Sequence, residues 1–293
     1  MIFLIDSTGL YYRSYYALKR SYLKTSTGFP TFAIFGFLRS IVKYKKDYKV
    51  KDFIFVFDSP LSLANKIRKS NFSQYKAKRK KVYQNDFKVQ LPILKDILKL
   101  LGFPVIESGI YEADDILASL ASKYSNNKDT KVGIVTFDKD LFQVIRENIN
   151  IYRIKQKLDT LEIWDEDKFL KEYNFKPAFF PDYLALCGDA VDNIPGIPGI
   201  GPKIAKKLVT LFGNLENIYN NLQKIEFSIR KKLEEFKTKV FEYRNLIKLK
   251  TDLDIDLKRQ KSDIEKLKEI LLSKLEMKKL TSEIEKVFFI KNS

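Results

Sequence analysis

Three short runs of almost unbroken apolar residues punctuate the first half of the chain: IFLID at 2–6, FIFVFD at 53–58 and VGIVTFD at 132–138. Such runs are too short for buried helices and are rich in β-branched and aromatic residues, so they predict strands covered on both faces, as in a parallel sheet. Each of the three ends in an aspartate. FPVIES at 103–108 and INIYRI at 149–154 predict two further strands. Between the strands, the segments 31–46, 86–102 and 112–124 repeat apolar side chains every three to four positions, the spacing of amphipathic helices. This alternation predicts an α/β fold, a mostly parallel central sheet flanked by helices. Near residue 175 the pattern changes. From there it is helical, interrupted by the Gly/Pro segment NIPGIPGIGP at 193–202, with further helices expected over 262–275 and 281–290. The expected organisation is an α/β core over 1–175, containing a basic stretch at 62–85, and a helical region over 176–293 with a hairpin at 193–213.

Composition narrows the chemistry. The chain has 293 residues with 54 Lys and Arg against 37 Asp and Glu, a formal charge of +17, which points to a polyanionic partner. A solvated surface from a lysine-rich proteome is the plainer alternative. Histidine is absent, which excludes a Ser-His-Asp triad, a histidine base and a His-ligated metal. The lone Cys187, in LALCGD, reads as a core thiol and leaves no disulfide framework. No apolar run reaches membrane-spanning length, so a cytoplasmic protein with no membrane partner is expected.

Carboxylates remain, and their placement is uneven. In open α/β sheets the carboxyl ends of the strands share one crevice, so Asp6, Asp58 and Asp138 are expected to converge, with Asp140 two positions on. YEADDILASL at 111–120 would deliver Glu112, Asp114 and Asp115 to the same edge, and GDAVDN adds Asp189 and Asp192. Any one of these acids could simply cap a helix. Several together in a low-dielectric crevice would repel or take up protons unless a multivalent cation neutralised them. An all-oxygen set selects Mg²⁺ or Mn²⁺ over Zn²⁺. Two such ions about 4 Å apart suit phosphodiester hydrolysis.

Between Asp58 and Asp86 the chain is basic and lacks acids, with Phe72, Tyr75 and Tyr83 interleaved. Lysines and arginines there would neutralise phosphates, and the rings could stack on unpaired bases, so the stretch reads as a clamp over the crevice. A solvated loop is the alternative. In the hairpin, Gly199 and Gly201 permit tight backbone geometry and Pro202 suits a first helical turn. Exposed amides at such a turn hold phosphate without reading sequence, and Lys203, Lys206 and Lys207 add charge.

Taken together, FLIDS, FVFDS, GIYEADDILASLA, TFDKDLFQV, LCGDAVDNIPGIPGIGPKIAKKL and TDLDID resemble the bacterial 5′→3′ exonuclease and flap endonuclease family, found as stand-alone enzymes and as the N-terminal domain of DNA polymerase I. The resemblance implies a PIN-like nuclease core and a helix–three-turn–helix that binds duplex and can hold K⁺. It implies metal ligands at Asp6, Asp58, Glu112, Asp114, Asp115, Asp138, Asp140, Asp189 and Asp192. It implies a clamp using Arg68, Tyr75, Lys76 and Arg79, with Lys76 and Arg79 on the scissile phosphate. Branched or nicked duplex DNA with a 5′ single strand, including RNA–DNA primer junctions, is the implied substrate. A monomer working with a DNA polymerase at the nucleoid is the implied setting. The family pattern is departed from at Ser7, where glycine is common, and at Ile67, an aromatic position. A non-catalytic branched-DNA-binding protein would show vacant ligand positions, and none is vacant. A small-molecule metal phosphatase would not need the basic clamp and hairpin.

Overall fold

In the computed structural model, which describes residues 1–59, 85–154 and 160–290, the apolar runs become the centre of a single sheet. Among the described residues its strands are β1 (Ile2–Asp6), β2 (Asp52–Phe57), β3 (Val105–Glu107), β4 (Val132–Thr136), β5 (Ile149–Ile154) and β6 (Leu161–Trp164). Their order is β3-β2-β1-β4-β5-β6, parallel throughout except for the antiparallel β5–β6 pair. The edge strand β6 has no expectation in the sequence, because LEIW is short and its exposed positions give no apolar run. β3 is shorter than the apolar run that predicts it.

Alternation along the central strands decides what covers each face. Leu4, Ile54, Val56 and Ile134 point to one side, where they pack with the helix α4 (Ala113–Ser125) and most of the second half of the chain. Phe3, Ile5, Phe53, Phe55 and Val135 point to the other side. That face is covered by α1 (Ser7–Leu18), α2 (Phe32–Asp47) and α3 (Asn85–Leu100). Both faces are therefore dry, which is why the strands read as unbroken apolar runs. The helix α1 has no signal in the sequence reading. Its polar-aromatic composition hides the core stripe of Leu10, Tyr11 and Tyr15.

The second half begins with α5 (Glu166–Tyr173) and α6 (Phe180–Cys187). It continues through α7 (Pro202–Phe212), α8 (Leu215–Asn220), α9 (Phe227–Glu235) and α10 (Lys237–Ile247). The chain then crosses back. Asp263 N donates to Leu100 O at 2.9 Å, at the C-terminal end of α3. Beyond it α11 (Ile264–Lys268), a π-helical turn (Glu269–Lys274) and α12 (Lys278–Phe288) lay Leu267, Leu271, Leu275, Leu280 and Ile284 onto the α1–α2–α3 face. Ser26 N donates to Glu276 Oε2 at 2.9 Å, fastening the α1–α2 connection to this returning segment. The helices expected over 262–275 and 281–290 are thus present, the first as an α-turn continued by a π-turn.

Candidate active site

Parallel register places the acids. Asp6 lies beside Val56 of β2, and Ile5 beside Val135 of β4, so the next residue of β4, Thr136, reaches the level of Asp6. Asp6 closes β1, while Asp58 and Asp138 fall just past the ends of β2 and β4 and not on the strands themselves. All three stand at the carboxyl edge of the sheet.

The Asp6 carboxylate does two jobs. Its Oδ1 accepts from Gly9 N at 3.0 Å, capping α1, and its Oδ2 accepts from the Thr136 hydroxyl at 3.0 Å. A side chain on Gly9 would lie 2.7 Å from Asp6 Oδ2, so only glycine lets the helix start this close to the acid. Thr136 Oγ1 in turn accepts from Asp138 N at 2.9 Å, and Asp138 Oδ1 accepts from Asp140 N at 2.9 Å. Thr8 Oγ1 accepts from Asp58 N at 2.7 Å. Capping is therefore real at Asp6 and Asp138, but it occupies one oxygen of each. At α4 it fails: Glu112 stands in the capping position, is almost wholly buried, and makes no cap with its side chain.

Electrostatics divides the acids into two overlapping groups. Asp6 is pushed up to about 7 by burial, and further by the charges of Asp58 and Asp138. Asp140 is held well above the usual carboxylate range by burial first and then by Asp138, Asp192 and Asp189. Asp138 belongs to both groups. Asp140 Oδ1 is buried and has no hydrogen-bond partner among the described residues. Asp189, 3% exposed, is paired with the Lys139 ammonium at 3.1 Å and accepts from Val191 N at 2.9 Å. Asp192 is equally buried. Among the described residues no three of these side chains close around a point as a metal cage.

Asp115 departs from the others. It is fully buried, and its Oδ1 accepts from Lys250 N at 3.0 Å, so this carboxylate faces the connection after α10. Asp114 on the neighbouring helical position is partly exposed. The residues that sequence reasoning missed are Thr8, Gly9 and Thr136. Hydroxyls and a glycine near strand ends are too common to stand out, and their roles require the β1–β4 register.

The loop carrying Asp189 and Asp192 is built on the hairpin. Asp189 and Ile194 exchange backbone bonds at 2.8 Å, and Ile197 N donates to Leu186 O at 2.9 Å. Gly188 and Gly196, both at positive φ, pack backbone to backbone; a side chain on Gly196 would come within 2.4 Å of Gly188 N. Gly199 also needs its positive φ of 79°, whereas Gly201 sits in ordinary extended backbone with open space around it. The geometric requirement expected at Gly201 thus falls on Gly188 and Gly196. Pro202 does open α7. Lys203 and Lys207 are exposed, but the Lys206 ammonium donates to Glu172 O at 2.5 Å, docking α7 against α5. Lys232 brings its ammonium against the turn at Gly199. Cys187 is half-buried and its thiol is pushed up by burial, as a core thiol should be. Arg68, Tyr75, Lys76 and Arg79 lie outside the described residues. No helix among the described residues is long and apolar enough to cross a membrane.

Comparison with known proteins adds a second line. Residues 1–174 match the model of the 5′-3′ exonuclease N-terminal resolvase-like domain, and residues 175–270 that of the 5′-3′ exonuclease C-terminal SAM fold. The 5′-3′ exonuclease of Aquifex aeolicus is 41% identical over 98% of this chain and 96% of its own. DNA polymerase I of Caldicellulosiruptor bescii is 37% identical over 94% of this chain, which spans 32% of that polymerase. Among solved structures, T5 5′-exonuclease with divalent metal ions (zinc) bound superposes with a TM-score of 0.67 at 19% identity over 98% of both chains. The catalytic core of Rad2 in complex with DNA substrate gives 0.61 at 22% identity, over 98% of this chain and 91% of that one. At these identities the two structures speak for the fold.

Proposed function

The chain belongs to the 5′-3′ exonuclease family and is a 5′ nuclease, and from that premise we propose that it cuts DNA at 5′ flaps and nicks with the help of two divalent cations. The observation that carries the reading is the hydrogen-bonded chain at the carboxyl edge of the sheet: the Thr136 hydroxyl donates to Asp6 Oδ2 and accepts from Asp138 N, and Asp138 Oδ1 accepts from Asp140 N. Three acids linked side by side in this way suit two adjacent cations.

The residues fit such ions. The donors are all oxygen, the buried Asp140 Oδ1 has no other partner among the described residues, and burial, with the neighbouring charges, otherwise pushes Asp6 and Asp140 toward protonation. Asp6, Asp58, Glu112 and Asp114 would hold one ion, and Asp138, Asp140 and Asp192 the other, with Asp189 and Asp115 as direct or water-mediated ligands. Mg²⁺ or Mn²⁺ bound there would supply an activated water and charge neutralisation at the phosphate. The protein's own part is positional. Thr136 and Gly9 fix the angle of Asp6, and the Asp138 cap fixes the turn that carries Asp140.

The hairpin would seat the duplex through the amides around Gly199, with Lys203 and Lys207 on its phosphates. A K⁺ ion at that turn would have to displace the Lys232 ammonium, which lies against Gly199. Arg68 and Tyr75 would guide the 5′ strand across the crevice, and Lys76 and Arg79 would meet the scissile phosphate. The substrates would include flaps and RNA-primed junctions, consistent with a monomer working beside a DNA polymerase in the cytoplasm. On this reading 1–175 carries most of the chemistry, while 176–293 adds Asp189 and Asp192 and holds the duplex.

The test is incubation with 5′-labelled flap, nicked-duplex and single-stranded DNA, with Mg²⁺ and then with chelator. Cleavage confined to the junction substrates and abolished by chelator is expected. Asp114→Asn and Asp138→Asn should each abolish cleavage while leaving metal-free flap binding within about tenfold. Turnover within twofold of wild type for both variants would sink the assignment.

A further inference from the structure

Resting on the nuclease reading above, we infer that the segment running from Ile247 to Leu253 is a strap that holds the carboxylate-bearing elements in position, and that Gln143 is its positioning residue. The segment follows α10 directly and has no regular secondary structure after Ile247. Its backbone nonetheless makes a run of bonds to side chains from distant parts of the chain. Gln143, at the end of the turn that carries Asp138 and Asp140, uses both ends of its amide. Its Nε2 donates to Asp140 O at 2.7 Å and to Ile247 O at 3.2 Å, and its Oε1 accepts from Leu249 N at 2.9 Å. One residue further, Asp115 Oδ1 accepts from Lys250 N. Ser119, one helical turn along α4 from Asp115, donates to Lys250 O at 3.0 Å and accepts from Leu253 N at 3.2 Å.

The strap therefore joins two elements that carry proposed ligands. α4 begins at Glu112 and Asp114, and the turn after β4 carries Asp138 and Asp140. A third tie lies just upstream. Arg244 of α10 pairs with Asp182 of α6, the helix that leads into the Asp189 and Asp192 loop. α4 and the Asp138–Asp140 turn are thus tied to α10 or to the strap, and α6, which leads into the Asp189 loop, is tied to α10.

Hydrogen bonds rather than packing must do this holding on one side. Gln143 and Leu249 border a cavity of about 450 Å³, shared with Asp182, Arg244, Lys248 and Thr251. With open space beside it, the amide has no wall to keep it in place if its three bonds are lost. A side chain that orients a ligand-bearing element without touching the ion is the kind whose loss costs roughly 10–100-fold in metal affinity. That sets the expected scale.

Two substitutions cut the strap at opposite ends: Gln143→Ala at the Asp138–Asp140 turn and Ser119→Ala at α4. Three measurements on the full chain follow: amide hydrogen exchange over 138–144 and 247–253, Mn²⁺ binding by calorimetry without DNA, and single-turnover cleavage of a 5′ flap. Both variants should exchange at least tenfold faster over 247–253 and bind Mn²⁺ about tenfold more weakly. Gln143→Ala should in addition loosen 138–144, and cleavage should fall in rate while metal-free flap binding stays within twofold. Faster exchange with Mn²⁺ affinity within twofold of wild type would overturn the inference, leaving the strap a purely structural element. Unchanged exchange over 247–253 would overturn it as well. Should wild type itself bind no Mn²⁺, the two-cation reading fails, while the exchange measurement still tests whether the strap holds its elements.

Discussion

At Asp6 the same carboxylate that would serve a cation is costly to keep ionised without one. Burial and the charges of Asp58 and Asp138 push it up to about 7, from an ordinary value of 3.8. A carboxyl raised in the folded state binds its proton more tightly there than in the unfolded chain. Its contribution to stability is therefore full below about pH 4 and is lost as pH rises to about 7. In metal-free protein, Asp6→Asn should match wild type below about pH 4 and melt at a higher temperature near pH 8. Saturating Mg²⁺ should reverse the order at pH 8. Thermal denaturation across that range checks both, and a wild-type minus variant difference that does not change with pH would refute the account. Thr136 yields a second residue-scale prediction. Thr136→Val keeps the shape but removes the hydroxyl between Asp6 and Asp138, at a stability cost of about 1–2 kcal/mol. Cleavage should fall about tenfold with DNA binding intact, and Thr136→Ser should restore it; equal rates for Val and Ser would show that the hydroxyl only packs.

At the scale of elements, α7 separates lysines that the sequence treats alike. Lys203 and Lys207 are exposed, whereas the Lys206 ammonium is spent on Glu172 O at the end of α5. Replacing Lys203 or Lys207 with Ala should flatten the slope of log affinity against log salt by up to about 0.9 for each phosphate contact removed. Lys206→Ala should leave that slope nearly unchanged and instead lower stability by roughly 1 kcal/mol. Duplex-binding isotherms at several salt concentrations decide the matter, and a slope change at Lys206 equal to that at Lys203 would contradict the docking role.

For the whole molecule, the decisive feature is that the chain after residue 263 returns to the first half. Leu271 is completely buried and belongs to the same apolar cluster as Phe3, Phe37 and Phe55. Leu271→Ala should thus cost about 2–5 kcal/mol, the range for a buried leucine, and lower the urea midpoint of the entire nuclease core. An unchanged midpoint would mean that the returning segment adheres without stabilising the sheet. The salt bridge between Arg259 and Asp52, at 2.5 Å, is half-exposed and adds little to that sum.

The sequence by itself determined the elements and the chemistry. The apolar runs at 2–6, 53–58 and 132–138 became central parallel strands, because burial on both faces leaves no other pattern to write. The absence of histidine and the repeated acids dictated oxygen donors, and the parallel sheet brought Asp6, Asp58 and Asp138 to one edge. Tertiary structure decided which group does what. Thr136 reaches Asp6 across 130 residues of sequence, and Lys250 reaches Asp115 across 135, through registers and crossings that no local window contains. EADD looks like a run of equivalent carboxylates, yet Asp115 gives its Oδ1 to the strap while Glu112 is buried at the start of α4 without capping it. The strand β6, the helix α1 and the particular contacts by which the C-terminal helices return were equally hidden. Periodicity reports which face of an element is apolar; which neighbour covers that face is settled only when the whole chain closes on itself.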